Sequence, residues 1–163
     1  MSHLKKINTK IFSLEGLSAQ VSTWKKEKQK IVFTNGCFDV IHRGHIEVLA
    51  RTADLADKLI VGLNSDSSIQ KLKGQGRPII DENSRATLLA ALSFVDAIIL
   101  FTQETPLNLI RNLRPDVLAK GGDYAINTII GHEIVQKNGG EVILIPFVDG
   151  FSSTNIIDKI KNS

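Results

Sequence analysis

The chain of 163 residues carries 20 Lys and Arg against 17 Asp and Glu, a formal excess of only +3, and is 42% hydrophobic and 23% charged. It is long enough to bury a proper core, and its charge is too balanced for a protein built to grip nucleic acid. No apolar run approaches the roughly 18 residues of a membrane span, and Met1-Ser2-His3-Leu4-Lys5-Lys6 has no apolar signal core, so a cytoplasmic chain without membrane insertion is expected.

Residues 1–29 read as an N-terminal arm and helix. Residues 1–12 are expected to be a loose arm. Ser13 then caps a helix of about three turns, marked by Leu14, Leu17, Val21 and Trp24 at helical spacing. Trp24 belongs in the core or at a contact between copies of the chain. The run Lys25 to Lys30 contains Glu27 and no aromatic platform, so it reads as the solvated end of a helix, and no nucleic-acid partner is expected.

From residue 30 onward the chain alternates strands and helices. Ile31-Val32-Phe33 is a buried strand, and Ile46, Leu49, Ala50 and Ala53 mark the apolar face of the helix that follows. Lys58 to Leu63 is a second strand ending in Asn64-Ser65-Asp66. Residues 67–80, with Lys71, Lys73, Gly74, Gly76 and Arg77, are expected to form a mobile basic loop. Asp81 or Asn83 caps a helix with Ala86, Leu89, Ala90 and Phe94 facing inward. Arg85 in its first turn opposes the helix dipole and so calls for a specific anionic partner. Strands at 95–101, 115–120 and 142–145 enclose helices starting at Thr105-Pro106 and spanning 128–138, and Ser152-Ser153-Thr154 caps a last helix. The β-branched runs are too apolar for a sheet with a wet face. The expected fold is therefore one α/β, Rossmann-like domain over residues 30–163, a five-stranded parallel sheet with helices on both faces.

The most informative stretch is Phe33 to His45, a strand, a tight turn and a helix start. Ligands of open parallel sheets bind outside the carboxyl ends of the strands, and a helix N-terminus offers free N–H groups and positive dipole to an anion. His42 and His45, three apart at that terminus, can face the same side, and two imidazoles there point to phosphate. Neither G-x-G-x-x-G after a strand nor G-x-x-x-x-G-K-[ST] occurs, so a dinucleotide fingerprint and a P-loop are unsupported. Cys37, the only cysteine, permits no intrachain disulfide and is expected to be a small buried thiol rather than a nucleophile. The turns at 34–45, 120–124 and 150–154 would share one sheet edge.

Asn35-Gly36-Cys37-Phe38-Asp39-Val40-Ile41-His42-Arg43-Gly44-His45 resembles the G-x-F-D-x-x-H-x-G-H signature of the cytidylyltransferase-like nucleotidyltransferases, and Ser152-Ser153-Thr154 resembles their second signature. Together with Asn64-Ser65-Asp66, Arg77-Pro78-Ile79 and Lys120-Gly121-Gly122-Asp123-Tyr124, the pattern is similar to the adenylyltransferase domain of ADP-heptose synthases over roughly residues 30–160. The resemblance implies transfer of AMP from ATP, with Mg2+, to a sugar 1-phosphate, D-glycero-β-D-manno-heptose 1-phosphate, with release of pyrophosphate. His42 and His45 would stabilise the transition state, joined by Lys73 or Lys71. Thr34, Asn35, Gly36, Cys37, Phe38, Gly44, Lys120, Gly122, Asp123, Ser152, Ser153 and Thr154 would hold the nucleotide. Asp39, Asp66, Arg77 and Arg85 would contact the acceptor, with Asp39 also a candidate metal ligand. Relatives are often dimers, so a homo-oligomer is expected. The alternatives are the same chemistry with CTP and glycerol 3-phosphate, and a nucleotide-binding module without turnover. Asp149-Gly150-Phe151, where the cytidylyltransferases carry an arginine, weighs against the first of these.

Overall fold

The computed structural model describes residues 1–163. Helix α1 (His3–Asn8), strand β1 (Ile11–Phe12) and helix α2 (Leu14–Lys26) precede β2 (Ile31–Gly36), α3 (Arg43–Ala53), β3 (Lys58–Asn64), α4 (Asp66–Lys73) and α5 (Glu82–Ala90). Then come β4 (Ala97–Phe101), α6 (Leu107–Leu113), β5 (Val117–Gly121), a 3-10 turn at Ile126–Thr128, α7 (His132–Lys137), β6 (Glu141–Ile145) and α8 (Ser153–Lys161). The strands form one all-parallel sheet in the order β1-β4-β3-β2-β5-β6.

Alternation along the strands divides the core between the two faces. Ile31 and Phe33 point one way, with Leu17, Val21 and Trp24 of α2, Leu109, Ile110 and Leu113 of α6 and Val135 of α7. Val32, Val61 and Val117 point the other way, against Leu49 of α3 and Ala86, Leu89 and Ala90 of α5. Helices thus cover both faces, which is why the strands read as continuous apolar runs. Trp24 is 7% exposed and belongs to the core, with the Lys58 ammonium 5.7 Å from its ring centre.

Two expectations about local structure need correction. The sheet has six strands because Ile11 and Phe12 pair with Ile98 and Ile99; the supposed loose arm is a short helix and an edge strand. Two residues are too short a run for alternation to reveal. The supposed loop at 67–80 begins as helix α4, since the Ser65 hydroxyl accepts from the Ser68 N–H and Ile69 is fully buried. Only residues 74–80 remain a connection.

The chain builds β2, β3 and β4 outward in one direction and then returns to lay β5 on the opposite side of β2. The crevice at that reversal, between the turns that follow β2 and β5, is where an open sheet of this kind receives a ligand.

Candidate active site

A cleft of about 660 Å³ occupies this crevice, within the range of roughly 300–1,000 Å³ usual for small-molecule sites. Thr34, Asn35, Gly36, Cys37, Phe38, Asp39, His42, Gly44, His45, Lys73, Lys120, Ser152, Ser153 and Thr154 all line it. Two helix N-termini therefore open onto one space, that of α3 through His42 to His45 and that of α8 through Ser152 to Thr154, and both offer positive dipole to an anion.

The turn between β2 and α3 is strained. Phe38 and Val40 have φ of 47° and 50°, a conformation that costs a β-branched residue on the order of 1–3 kcal/mol and is retained mainly at functional sites. Surrounding contacts hold it there. The Ser153 hydroxyl donates to the Asp39 carbonyl at 2.6 Å, fastening the start of α8 to the turn. Gly36 fits the turn closely: a Cβ there would lie 3.0 Å from the Phe38 ring, which would have to give by a few tenths of an ångström. At Gly44 a Cβ would meet Phe151 at 2.9 Å and the His42 ring at 3.1 Å, so one of them would have to shift.

His42 caps α3, and its ring stacks on His45 with centroids 3.9 Å apart. The His42 backbone N–H donates to Nδ1 of His45 at 3.3 Å. That hydrogen bond assigns the His45 proton to Nε2, making it a donor. Nδ1 of His42 is buried and faces the His45 backbone N–H in a capping box without completing a full hydrogen bond. Phe151 stacks beyond His42 at 6.2 Å.

Burial, reinforced by the positive charges of His42 and Lys73, pushes the His45 imidazole from its ordinary 6.5 down to about 4. Burial also lowers His42. The unfolded chain takes up the His45 proton near 6.5 and the folded chain only near 4, so this contribution to stability is complete above 6.5 and is lost as the pH falls through that window. Urea unfolding of the ligand-free protein across this window is expected to show stability falling with acid. The slope should be shallower in His45→Asn; an unchanged slope would refute the assignment.

Asp39, expected at the acceptor, lines the cleft and is bound within the chain. It is 2% exposed, and its carboxylate accepts from the Ile79 and Ile80 N–H groups and from Nε of Arg77 at 2.8–3.1 Å. Burial alone would raise its pKa, but the two backbone N–H groups and the guanidinium outweigh that and hold it below the usual carboxylate range. Asp39 thereby pins residues 77–80 against the strained turn, and Arg77, paired with it at 2.8 Å, serves the same latch.

Arg85, also expected at the acceptor, is engaged within the chain. It is 0% exposed, and it donates to the carbonyls of Ile80, Cys37 and Asn64 at 2.7–2.8 Å and to the Asp66 carboxylate at 2.6 Å. Its expected anionic partner is real, but it is Asp66 of this chain. Neither Asp66, Arg77 nor Arg85 lines the cleft.

Of the two candidate lysines, Lys73 lines the cleft, from the last turn of α4. Lys120 is held by Nζ contacts of 3.3 and 3.4 Å to the carbonyl and side-chain oxygens of Asn35. Gly122 and Asp123 stand just outside the cleft wall, which here is made by Gly121 and Tyr124. Gly122, at φ 123°, leaves room for the Tyr124 and Phe147 rings, which would lie 2.7 and 2.9 Å from a Cβ. The sequence reading missed Tyr124, Phe147 and Val148 as cleft residues and gave Phe151 no role there. For Tyr124, Phe147 and Phe151 the one available signal was an aromatic residue after a strand end, on the edge where ligands bind; Val148 carried none.

A doubly wound parallel sheet with two helix N-termini, two stacked imidazoles and two lysines around its switch point gathers the donors and positive potential that suit a phosphate-bearing ligand. The chain belongs to the cytidylyltransferase-like family, whose model matches residues 33–159. It is 48% identical over 147 residues to the bifunctional protein HldE of Nitrobacter hamburgensis, covering 90% of this chain and 30% of that protein. It is 50% identical over 153 residues to the bifunctional protein HldE of Geobacter metallireducens, covering 94% and 31%. The chain thus spans about a third of the length of these curated relatives. Among solved structures it is similar to the lipopolysaccharide core biosynthesis protein of Thermoplasma volcanium, with a TM-score of 0.59 and 29% identity over 74% of this chain and 97% of that one. It shares its fold with the pantoate-beta-alanine ligase of Francisella tularensis, at a TM-score of 0.62 and 14% identity over 93% and 76% of the two chains. No helix is long and apolar enough to cross a membrane.

Proposed function

We propose that the chain transfers AMP from ATP to a sugar 1-phosphate, D-glycero-β-D-manno-heptose 1-phosphate, giving ADP-heptose and pyrophosphate. The observation that carries this reading is the His42–His45 stack at the N-terminus of α3, facing the serine-led start of α8 across one cleft. Family membership and the likeness to a lipopolysaccharide core biosynthesis protein support the class of reaction and the sugar acceptor.

In the reaction an oxygen of the acceptor phosphate attacks the α-phosphorus. A new O–P bond forms, the bond from the α-phosphorus to the bridging oxygen breaks, and pyrophosphate leaves with the electron pair. The acceptor phosphate is already ionised near neutral pH, so no base has to remove a proton. Catalysis then rests on positioning and on donors aimed at the developing charge. His45, neutral with its proton on Nε2, donates to phosphate oxygen; Lys73 and the N–H groups at the two helix starts add positive potential.

Mg2+ belongs to this reading as a companion of ATP. No group of three or more His, Cys, Asp or Glu stands ready to hold a metal, and the Asp39 carboxylate is occupied by its three donors. This donor set fits an ion held mainly by triphosphate oxygens and water, as Mg2+ commonly is. When bound, it neutralises charge on the leaving pyrophosphate.

The test is pyrophosphate release by purified protein with Mg2+, crossing ATP, CTP, GTP and UTP against heptose 1-phosphate and glycerol 3-phosphate. Release only with ATP and heptose 1-phosphate is the expected result. Release with CTP and glycerol 3-phosphate would overturn the substrate assignment, and silence throughout would favour a binding module without turnover.

A further inference from the structure

A second cavity, of about 300 Å³, adjoins the main cleft and shares Asn35, Gly36, Cys37, Lys120 and Tyr124 with it. Its remaining wall comes from the end of β3, from α4, from the segment before α6 and from the 3-10 turn, with Glu104, Thr105 and Thr128 among its polar residues. Lys120 is its only cation and Glu104 its only carboxylate. That composition suits no triphosphate, which would meet one positive charge and one negative. It suits a small polyol bearing a single phosphate: hydroxyl groups for Glu104 and the threonines, and an anion for Lys120.

Lys120 stands where the two cavities meet. Its ammonium makes no ion pair: the salt bridges of the chain join Glu47, Asp96, Asp39 and Asp66 to other cations. Its two contacts to Asn35, at 3.3 and 3.4 Å, are long. A half-buried ammonium held only by two long contacts and no counterion is a natural receiver for an anion that arrives beside it. Burial pushes Lys120 below its ordinary pKa, with Cys37 opposing the shift, and a bound phosphate would restore it.

We infer that this second cavity is the acceptor seat and that Lys120 grips the acceptor's phosphate, so that Lys120 discriminates the acceptor rather than holding the nucleotide. The inference deepens the proposed function and rests on it for the identity of the sugar. The attacking oxygen is thereby presented at the junction with the main cleft, where the α-phosphate lies, and Lys120 keeps its proton throughout.

The test is calorimetric titration of the full chain, first with Mg2+ and α,β-methylene-ATP, then of the analogue-saturated protein with heptose 1-phosphate and, separately, inorganic phosphate. Lys120→Met is expected to weaken heptose 1-phosphate about 10- to 100-fold, the scale of a lost hydrogen bond to a charged group, and to leave affinity for the analogue unchanged. Ile130→Trp, which narrows the exposed mouth of the cavity, should weaken heptose 1-phosphate and spare inorganic phosphate. A Lys120→Met protein that loses the analogue instead, or that keeps its sugar phosphate, overturns the inference. Should the wild-type protein bind no heptose 1-phosphate, the assigned substrate falls, while Lys120-dependent binding of inorganic phosphate would still uphold the seat; absence of that binding as well would overturn it.

Discussion

Replacing His45 by alanine is expected to lower kcat about 10²- to 10³-fold, the usual loss when one preorganised charge-stabilising donor is removed. The expectation follows from how the ring is held. Its Nδ1 is fixed by the His42 N–H, its face by the His42 ring, and its edge by Phe38 at 5.5 Å, so Nε2–H is aimed before any ligand arrives. His42→Ala should cost a similar factor, because it removes the second imidazole and frees the first to turn. Both are read from initial rates of pyrophosphate release at saturating substrates, with thermal melting as the check on folding. Either variant keeping more than about a tenth of wild-type turnover would refute the assignment, given the size of effect such donors have.

Arg85→Met is expected to destabilise the fold by about 3–5 kcal/mol, the range for removing one member of a buried charge network. Methionine fills much of the volume but leaves the carbonyls of Cys37, Asn64 and Ile80 without their donor and Asp66 without its partner. Arg85→Lys should not rescue it, since one ammonium cannot reproduce a planar fork that reaches four acceptors on three segments. The measurement is the midpoint of urea unfolding. Because natural domains hold only about 5–15 kcal/mol, the wild-type and variant curves should be well separated; overlapping curves would refute the network's importance. Activity should fall in whatever fraction stays folded, because the Cys37 carbonyl is part of the turn that carries the histidines.

Much of the architecture was legible in the sequence. The β-branched runs at 31–33, 58–63 and 142–145 have no polar alternation, and only a sheet covered on both faces tolerates that. The Phe33 to His45 stretch pointed to the cleft because its pattern is local: strand, turn, cap and two histidines all lie within a short span. What escaped depended on distant partners. Ile11 and Phe12 become a strand only because Ile98 and Ile99 offer them a ladder. Glycine and lysine in 67–80 masked the Ser65 cap and the buried Ile69 that make α4 a helix. The dipole argument at Arg85 correctly demanded an anion, but nothing local could say that Asp66 supplies it. Asp39 reads as a free carboxylate until the backbone of residues 79 and 80 is folded onto it. Tyr124, Phe147 and Phe151 come from loops whose convergence is a product of the sheet order.

The two-residue strand at the start of the chain has a consequence for behaviour in a crowded cell. Strand β4, Ala-Ile-Ile-Leu-Phe, is as apolar as any in the protein and would otherwise end the sheet with an uncovered row of N–H and C=O groups. Such a margin is a template onto which another chain can add as a further strand, the first step toward aggregation. Ile11 and Phe12 occupy part of that row, and the Lys10 carbonyl accepts from the Ile98 N–H at 2.8 Å. Residues 10–12 therefore shield part of a border that, uncovered, would be open to another strand.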